Sequence, residues 1–161
     1  MTKPLQEELA KLHTTPASND AMWYRKANSW TRDLSAREHH EIAIQLASRV
    51  LGAKRTPQGS EYALSRDGER IVVKLASVGT SAGRPFISWQ SIQLADDFTH
   101  VCFVALYPDD VRIFLVPRAD ICLENLSLKR GSDSNYQLAT RNTLGLFVWM
   151  TRHEVHEIVR A

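Results

Sequence analysis

The stretch that decides the fold is Glu61-Tyr62-Ala63-Leu64-Ser65, Arg66-Asp67-Gly68-Glu69, Arg70-Ile71-Val72-Val73-Lys74-Leu75-Ala76. Two runs of strand-forming residues flank an Asp-Gly pair, and Asp-Gly is favoured where a two-residue turn needs positive φ at both central positions. The reading is a β-hairpin. Downstream, Val101-Cys102-Phe103-Val104-Ala105-Leu106 is a continuous apolar run, Pro108-Asp109-Asp110 a turn, and Val111-Arg112-Ile113-Phe114-Leu115-Val116 an alternating run ending at Pro117. A second hairpin follows from this, its first strand buried on both faces.

Working upstream, Ser35 with Glu38 three residues later is a capping-box signature. Ile42, Ala43, Leu46, Ala47, Val50 and Leu51 then mark one face of a helix that stops before Gly52. Leu5, Leu9 and Leu12 predict a short N-terminal helix ended by Thr14-Thr15-Pro16. Between the helices, Trp23, Tyr24 and Trp30 are interleaved with Arg25, Lys26 and Arg32, a composition suited to a packed cap or to stacking on bases. Val78 to Pro85 reads as a flexible loop, and Ile87 to Leu94 as a short helix or turn carrying Trp89 and Gln90. Toward the C-terminus come a polar loop from Lys129 to Asn135, a strand from Tyr136 to Ala139, and an apolar segment from Leu144 to Met150 leading into a terminal helix. The order predicts one mixed α/β domain over 1–161, with a helical cap (1–34), a core (35–117) and a C-terminal extension (118–161).

The 161 residues, 43% hydrophobic and 24% charged with 7 Gly and 6 Pro, exclude collagen-like, low-complexity and largely disordered chains. No apolar run reaches the ~20 residues that span a bilayer, and the N-terminus lacks the apolar core of a secretory signal, so a cytoplasmic protein is expected. Cys102 and Cys122 lack metal or disulfide spacing and read as buried thiols. A net charge of +2 permits a polyanionic partner without demanding one. Neither GxGxxG nor a P-loop is present, which argues against a nucleotide cofactor. His153-Glu154-Val155-His156 is one residue short of the zinc-protease spacing and reads as terminal helix, and His39-His40 has no cysteine partners.

The runs Glu38-His39-His40-Glu41-Ile42-Ala43, Gly59-Ser60-Glu61-Tyr62-Ala63-Leu64, Asp67-Gly68, Ile71-Val72-Val73-Lys74 and Phe86-Ile87-Ser88-Trp89-Gln90-Ser91-Ile92 resemble, in order and spacing, the core of the PD-(D/E)xK nucleases. About half the chain is covered. The resemblance implies a restriction-endonuclease-like core, a mixed sheet flanked by helices, acting on duplex DNA. It further implies Mg2+ held by carboxylates, water attack on a phosphodiester, and a two-fold homodimer if both strands are cut. Lys74 matches the family lysine, Glu41 or Glu38 the helical glutamate, and Gln90 a glutamine carried on the helix after the catalytic strand. If side chains alternate along each strand, positions 61, 63 and 65 share one face of the first strand and 70, 72 and 74 one face of the second, and the hairpin brings those faces together.

Ala63, however, stands where the family aspartate belongs, and Val72 where the glutamate of Glu-x-Lys belongs. Three explanations are open: a degenerate member that keeps the DNA-facing surface; an engineered Asp-to-Ala change at Ala63; or migrated acids, with Glu41 and Glu61 as metal ligands beside Lys74. The last two make the parent a nuclease, a type II restriction enzyme before a junction resolvase. The first makes the chain a pseudonuclease that binds DNA or protein. A plain interaction domain, built around Trp23, Trp30 or Trp149, is the third class. For DNA contacts, Lys129, Arg130, Ser132, Asn135 and Gln137 offer donors for phosphates and base edges, with Gly131 permitting close backbone approach. Arg84 belongs to a second candidate segment that orders on binding.

Overall fold

A computed structural model describes residues 3–13 and 20–159. The two hairpins read from the sequence lie side by side in one mixed sheet. β2 (Leu64–Arg66) and β3 (Glu69–Ser77) are antiparallel, with Arg66 opposite Glu69, and Asp67 and Gly68 both have positive φ, as the two-residue turn requires. β6 (His100–Leu106) pairs antiparallel with β7 (Val111–Pro117). β3 and β6 run parallel, Lys74 opposite Phe103, which makes β6 the buried centre of the sheet. β1 (Lys54–Arg55) and β10 (Glu154–Val155) complete the order β1-β2-β3-β6-β7-β10. No helix of the described residues is long and apolar enough to cross a membrane.

Parallel neighbours need a crossover, and between β3 and β6 that crossover carries strands of its own. β4 (Gly79–Ser81) and β5 (Arg84–Gln93) form a hairpin turning at Ala82-Gly83, both at positive φ. With β8 (Leu126–Leu128) and β9 (Asn135–Thr140) they make a second sheet, order β4-β5-β9-β8. Two expectations are thereby corrected. Val78 to Pro85 is a hairpin arm rather than a flexible loop, and Ile87 to Leu94 lies mostly in strand β5 rather than in a helix or turn. Ala-Gly is a weaker turn signal than Asp-Gly, and the β5 residues Ile87, Trp89 and Ile92 are all buried, because one strand face supplies the contact between the sheets. Trp89 makes that contact: its ring meets Phe103 edge to face at 5.5 Å, and Nε1 donates to the Val104 carbonyl at 3.0 Å.

α2 (Ala36–Leu51) has the full capping box between Ser35 and Glu38 and ends on Gly52 in the left-handed conformation. Its buried face, from Ala43 to Leu51, packs on β3. α1 (Pro4–Ala10) buries Leu5 and Leu9, and the expected stop at Thr14-Thr15-Pro16 lies outside the described residues. Trp23 and Trp30 are 1% exposed and pack as a cap, leaving neither indole for stacking on bases, while Tyr24 is exposed with Arg25 over its ring. One contiguous apolar cluster runs from Leu5 through both sheets to Met150. Cys102 is buried, its thiol pushed up to about 12 by desolvation, while Cys122 is only half-buried. The expected terminal helix is reduced to α3 (Val148–Thr151), and His153 to His156 surrounds β10 instead. There the backbone pairs with β7, the Leu115 N–H on the His153 carbonyl at 3.1 Å, and Glu154, opposite Phe114, receives Arg112 Nε at 2.8 Å and Nη2 at 3.0 Å.

Both side chains of that pair are mostly shielded from solvent, and the Arg112 hydrogen bonds hold the Glu154 carboxyl below the usual carboxylate range. A carboxylate depressed by folding stabilises the protein above its unfolded pKa and loses that contribution as pH falls through the folded value. Glu154→Gln is therefore expected to lower the urea midpoint at neutral pH and to flatten its decline between about pH 5 and 3, as read by urea titrations across that range.

Candidate functional site

Because Lys74 and Phe103 are register partners, their side chains leave the same face of the mixed sheet, the face on which β5 packs. Lys74 consequently points into a cleft of about 420 Å³ whose walls include Ala36, His39 and His40 from the first turns of α2, and Ser88, Gln90 and Ser91 from β5. Lys74 and Gln90 are thus brought together as expected, but Gln90 arrives on a strand and not on a helix. A β-bulge follows it directly. The register shifts between Trp89 and Ile92, so that Gln90 and Ser91 together oppose Gln137, and Ser91 takes φ 59°. The Gln90 amide donates to Ser88 Oγ, two residues back on the same face of β5.

The left-handed backbone at Ser91 is held against its own preference. Ser91→Gly is expected to stabilise the fold by about 0.5–1 kcal/mol, the relief of strain exceeding the added freedom of the unfolded chain. Chemical denaturation of the pair checks it.

Desolvation lowers the Lys74 pKa, with the charge of Asp96 opposing. No carboxylate among the described residues comes within ion-pair distance of its ammonium. His40 shares the cleft and also lines its continuation toward Ile44, Ala63 and Val72; burial lowers its pKa and the charge of Lys74 lowers it further. Sequence reading passed over His40 for want of cysteine partners. The signal lay instead in helical spacing, since Ala36, His40 and Ile44 follow one another at four-residue steps along the wall of the cleft.

The acids go elsewhere. Glu41 is held by both terminal nitrogens of Arg55, Nη2 at 3.1 Å, and takes a further bond from Gln45, contacts that keep its carboxyl below the usual range. Glu38 closes the capping box on the Ser35 N–H. Glu61 precedes β2, outside the strand on which alternation was to align it with Ala63; it lines the continuation of the cleft, but its carboxylate accepts from the Asp97 N–H at 2.9 Å. Ala63 is tied to β3 by its N–H on the Ile71 carbonyl at 3.0 Å, and with Val72 it presents only carbon to the cleft. Among the described residues no group of three or more His, Cys, Asp or Glu gathers at a spacing fit for a metal. A carboxylate-held Mg2+ therefore does not fit this donor set: two candidate ligands are committed to other bonds and two more positions carry methyl groups.

No protein-family model matches the chain, and no curated protein matches its sequence.

The candidate DNA-contacting residues divide between the ends of the second sheet. Arg84 is exposed at the β4–β5 turn, next to Arg141, whose Nη1 donates to the Ser81 carbonyl. Lys129 and Arg130 are exposed at the β8–β9 turn. Ser132 is a turn residue there, its hydroxyl accepting the N–H groups of Ser134 and Asn135. Asn135 keeps Oδ1 buried and faces Gln93 across the sheet. Gln137, opposite the bulge, is the member of the set beside Gln90.

A larger groove of about 880 Å³ opens where α1 meets the β6–β7 turn. Its cations are already matched: Lys3 with Asp110, Lys26 with Asp109, Arg112 with Glu154. It offers no charge in want of a partner comparable to Lys74.

Proposed function

We propose that this protein has a restriction-endonuclease-like core and binds duplex DNA without cutting it, a phosphate of the backbone lying in the cleft against Lys74. The observation that carries the reading is an ammonium with no carboxylate partner among the described residues, lining one cleft with the Gln90 amide. His40 adds a second nitrogen to the cleft, which together with Lys74 and Gln90 gives an anion several polar partners. Ala63 and Val72 remove the ligands that a metal-held attacking water would need. Type II restriction and junction resolution both depend on such a water, and the reading sets both aside for this chain. A two-fold homodimer, which double-strand cleavage would require, is not needed for binding alone.

The test uses a short labelled duplex and a plasmid. In chelator, the duplex should bind with an affinity that falls steeply with salt, because phosphate contacts release counterions. With Mg2+ or Mn2+ the plasmid should stay intact. Cutting by this chain would return the nuclease reading with migrated acids, and absence of duplex binding would leave a protein-interaction domain.

A further inference from the structure

The second sheet has one face turned to the core and one turned outward, and the two differ sharply in chemistry. Trp89 pairs with Leu138 and Ile92 with Tyr136 on the inner face. The alternation places Ser88 and Gln90 outward on β5, Gln93 outward beyond the bulge, Gln137 outward on β9 and Ser127 beside it on β8. Gln90, Gln93 and Ser127 are exposed, Gln137 half so. β4, β5, β8 and β9 together contain no Asp or Glu. In a chain with 18 acidic residues, four strands free of them leave a face with no negative charge of its own to repel a polyanion.

We infer that this outward face reads base edges of duplex DNA, with Gln93 and Gln137 as the reading side chains. The inference rests on the DNA-binding reading above and extends it from affinity to sequence. A glutamine amide offers a donor and an acceptor side by side, the pattern that adenine N6 and N7 match in the major groove. Over Ile87–Gln93 the β5–β9 ribbon is widened by β8, which pairs with β9, so the face offered to the major groove is three strands across. From Ser88 to Gln93 the ribbon is about 17 Å long at strand rise, or about five base steps. The outer face carries one aromatic ring, Phe86, too few for a stacking platform, which favours the edges of paired bases over unstacked single strands. Phosphate contacts border the row: Lys74 in the cleft that Ser88 and Gln90 line, Arg84 at one end, Lys129 and Arg130 at the other. Backbone contacts hold position while the amides between them supply selectivity, the usual division of such interfaces.

The experiment is selection of bound duplexes from a randomised pool in magnesium-free buffer, followed by affinities for the selected duplex and for versions with single base pairs exchanged. The full chain should enrich a short motif. Gln93→Ala and Gln137→Ala should each reduce discrimination at one base pair by about ten- to a hundredfold, whereas Lys74→Met should weaken all duplexes alike. Urea midpoints of the two glutamine variants, matched to the parent, show that the fold survives. Salt-sensitive binding of the pool with no enriched motif, or a motif untouched by both glutamine variants, overturns the inference and leaves the DNA-binding reading standing. No binding of the pool at any salt overturns both.

Discussion

Trp89→Ala is expected to lower the stability of the fold by about 3–5 kcal/mol, the range for truncating a large buried aromatic. The indole is fully buried, and it is the piece of β5 that joins the two sheets. Its loss removes the edge-to-face contact with Phe103, itself edge-on to Trp149 at 6.2 Å, and opens a cavity between layers that Ile87, Ile92 and Leu138 alone would then have to fill. The Nε1–Val104 hydrogen bond disappears as well. Trp89→Phe separates these contributions: it keeps a ring and gives up the hydrogen bond, for an expected loss of about 1–2 kcal/mol. Because single domains are stable by only about 5–15 kcal/mol, the alanine variant should approach the unfolding threshold, with a urea midpoint well below that of the phenylalanine variant. The neighbouring bulge depends on the same anchor. Gln90 follows Trp89 directly, so loosening the indole should also release the amide from the Lys74 cleft, seen as weaker duplex binding at temperatures where the variant remains folded. A loss under about 1 kcal/mol for the alanine would mean that the sheets are joined elsewhere.

What the sequence disclosed was decided by where local chemistry agreed with tertiary demand. The Asp67-Gly68 turn, the Ser35–Glu38 capping box, the Gly52 stop and the unbroken apolar run of β6 each have one low-energy solution, and each is found in the structure. The β4–β5 arm was not legible, because Ala82 adopts positive φ against its own preference and because Ile87-Ser88-Trp89-Gln90-Ser91-Ile92 is interrupted by a bulge that breaks the period of two. β10 was hidden for another reason: two residues carry no periodicity, and what makes them a strand is pairing with β7, accompanied by the Arg112–Glu154 pair, whose partners lie 42 positions apart. The site divides in the same way. Lys74 and Gln90 could be named from their spacing along the chain, but that Glu41 is taken by Arg55 and Glu61 by the Asp97 N–H depends on side-chain geometry between elements, which no local pattern records. His40 is legible from its place on the helix face, where four-residue spacing, and not a metal-ligand motif, carries the signal.

Lys74→Met should raise stability at neutral pH while reducing duplex affinity by about ten- to a hundredfold, the range for one charge-assisted hydrogen bond to a phosphate. Burial depresses the Lys74 pKa, so the folded state disfavours the ammonium relative to the unfolded chain. Below the folded pKa the charged form is present in both states and its desolvation weakens the fold. As pH rises through that value toward the ordinary lysine range, the folded protein releases its proton while the unfolded chain keeps it, and stability increases. Methionine fills similar volume without the charge, so its advantage in urea midpoint should be present at neutral pH and shrink as the solution becomes alkaline. The binding arm has its own signature, because removing one phosphate contact should reduce the slope of log affinity against log salt by about 0.9. A residue whose replacement strengthens the fold and weakens binding is held in place by its ligand; one whose replacement weakens the fold and leaves binding intact would be an ordinary strand lysine. The two measurements together therefore separate a phosphate-holding cleft from a cation kept for packing of its methylene stem.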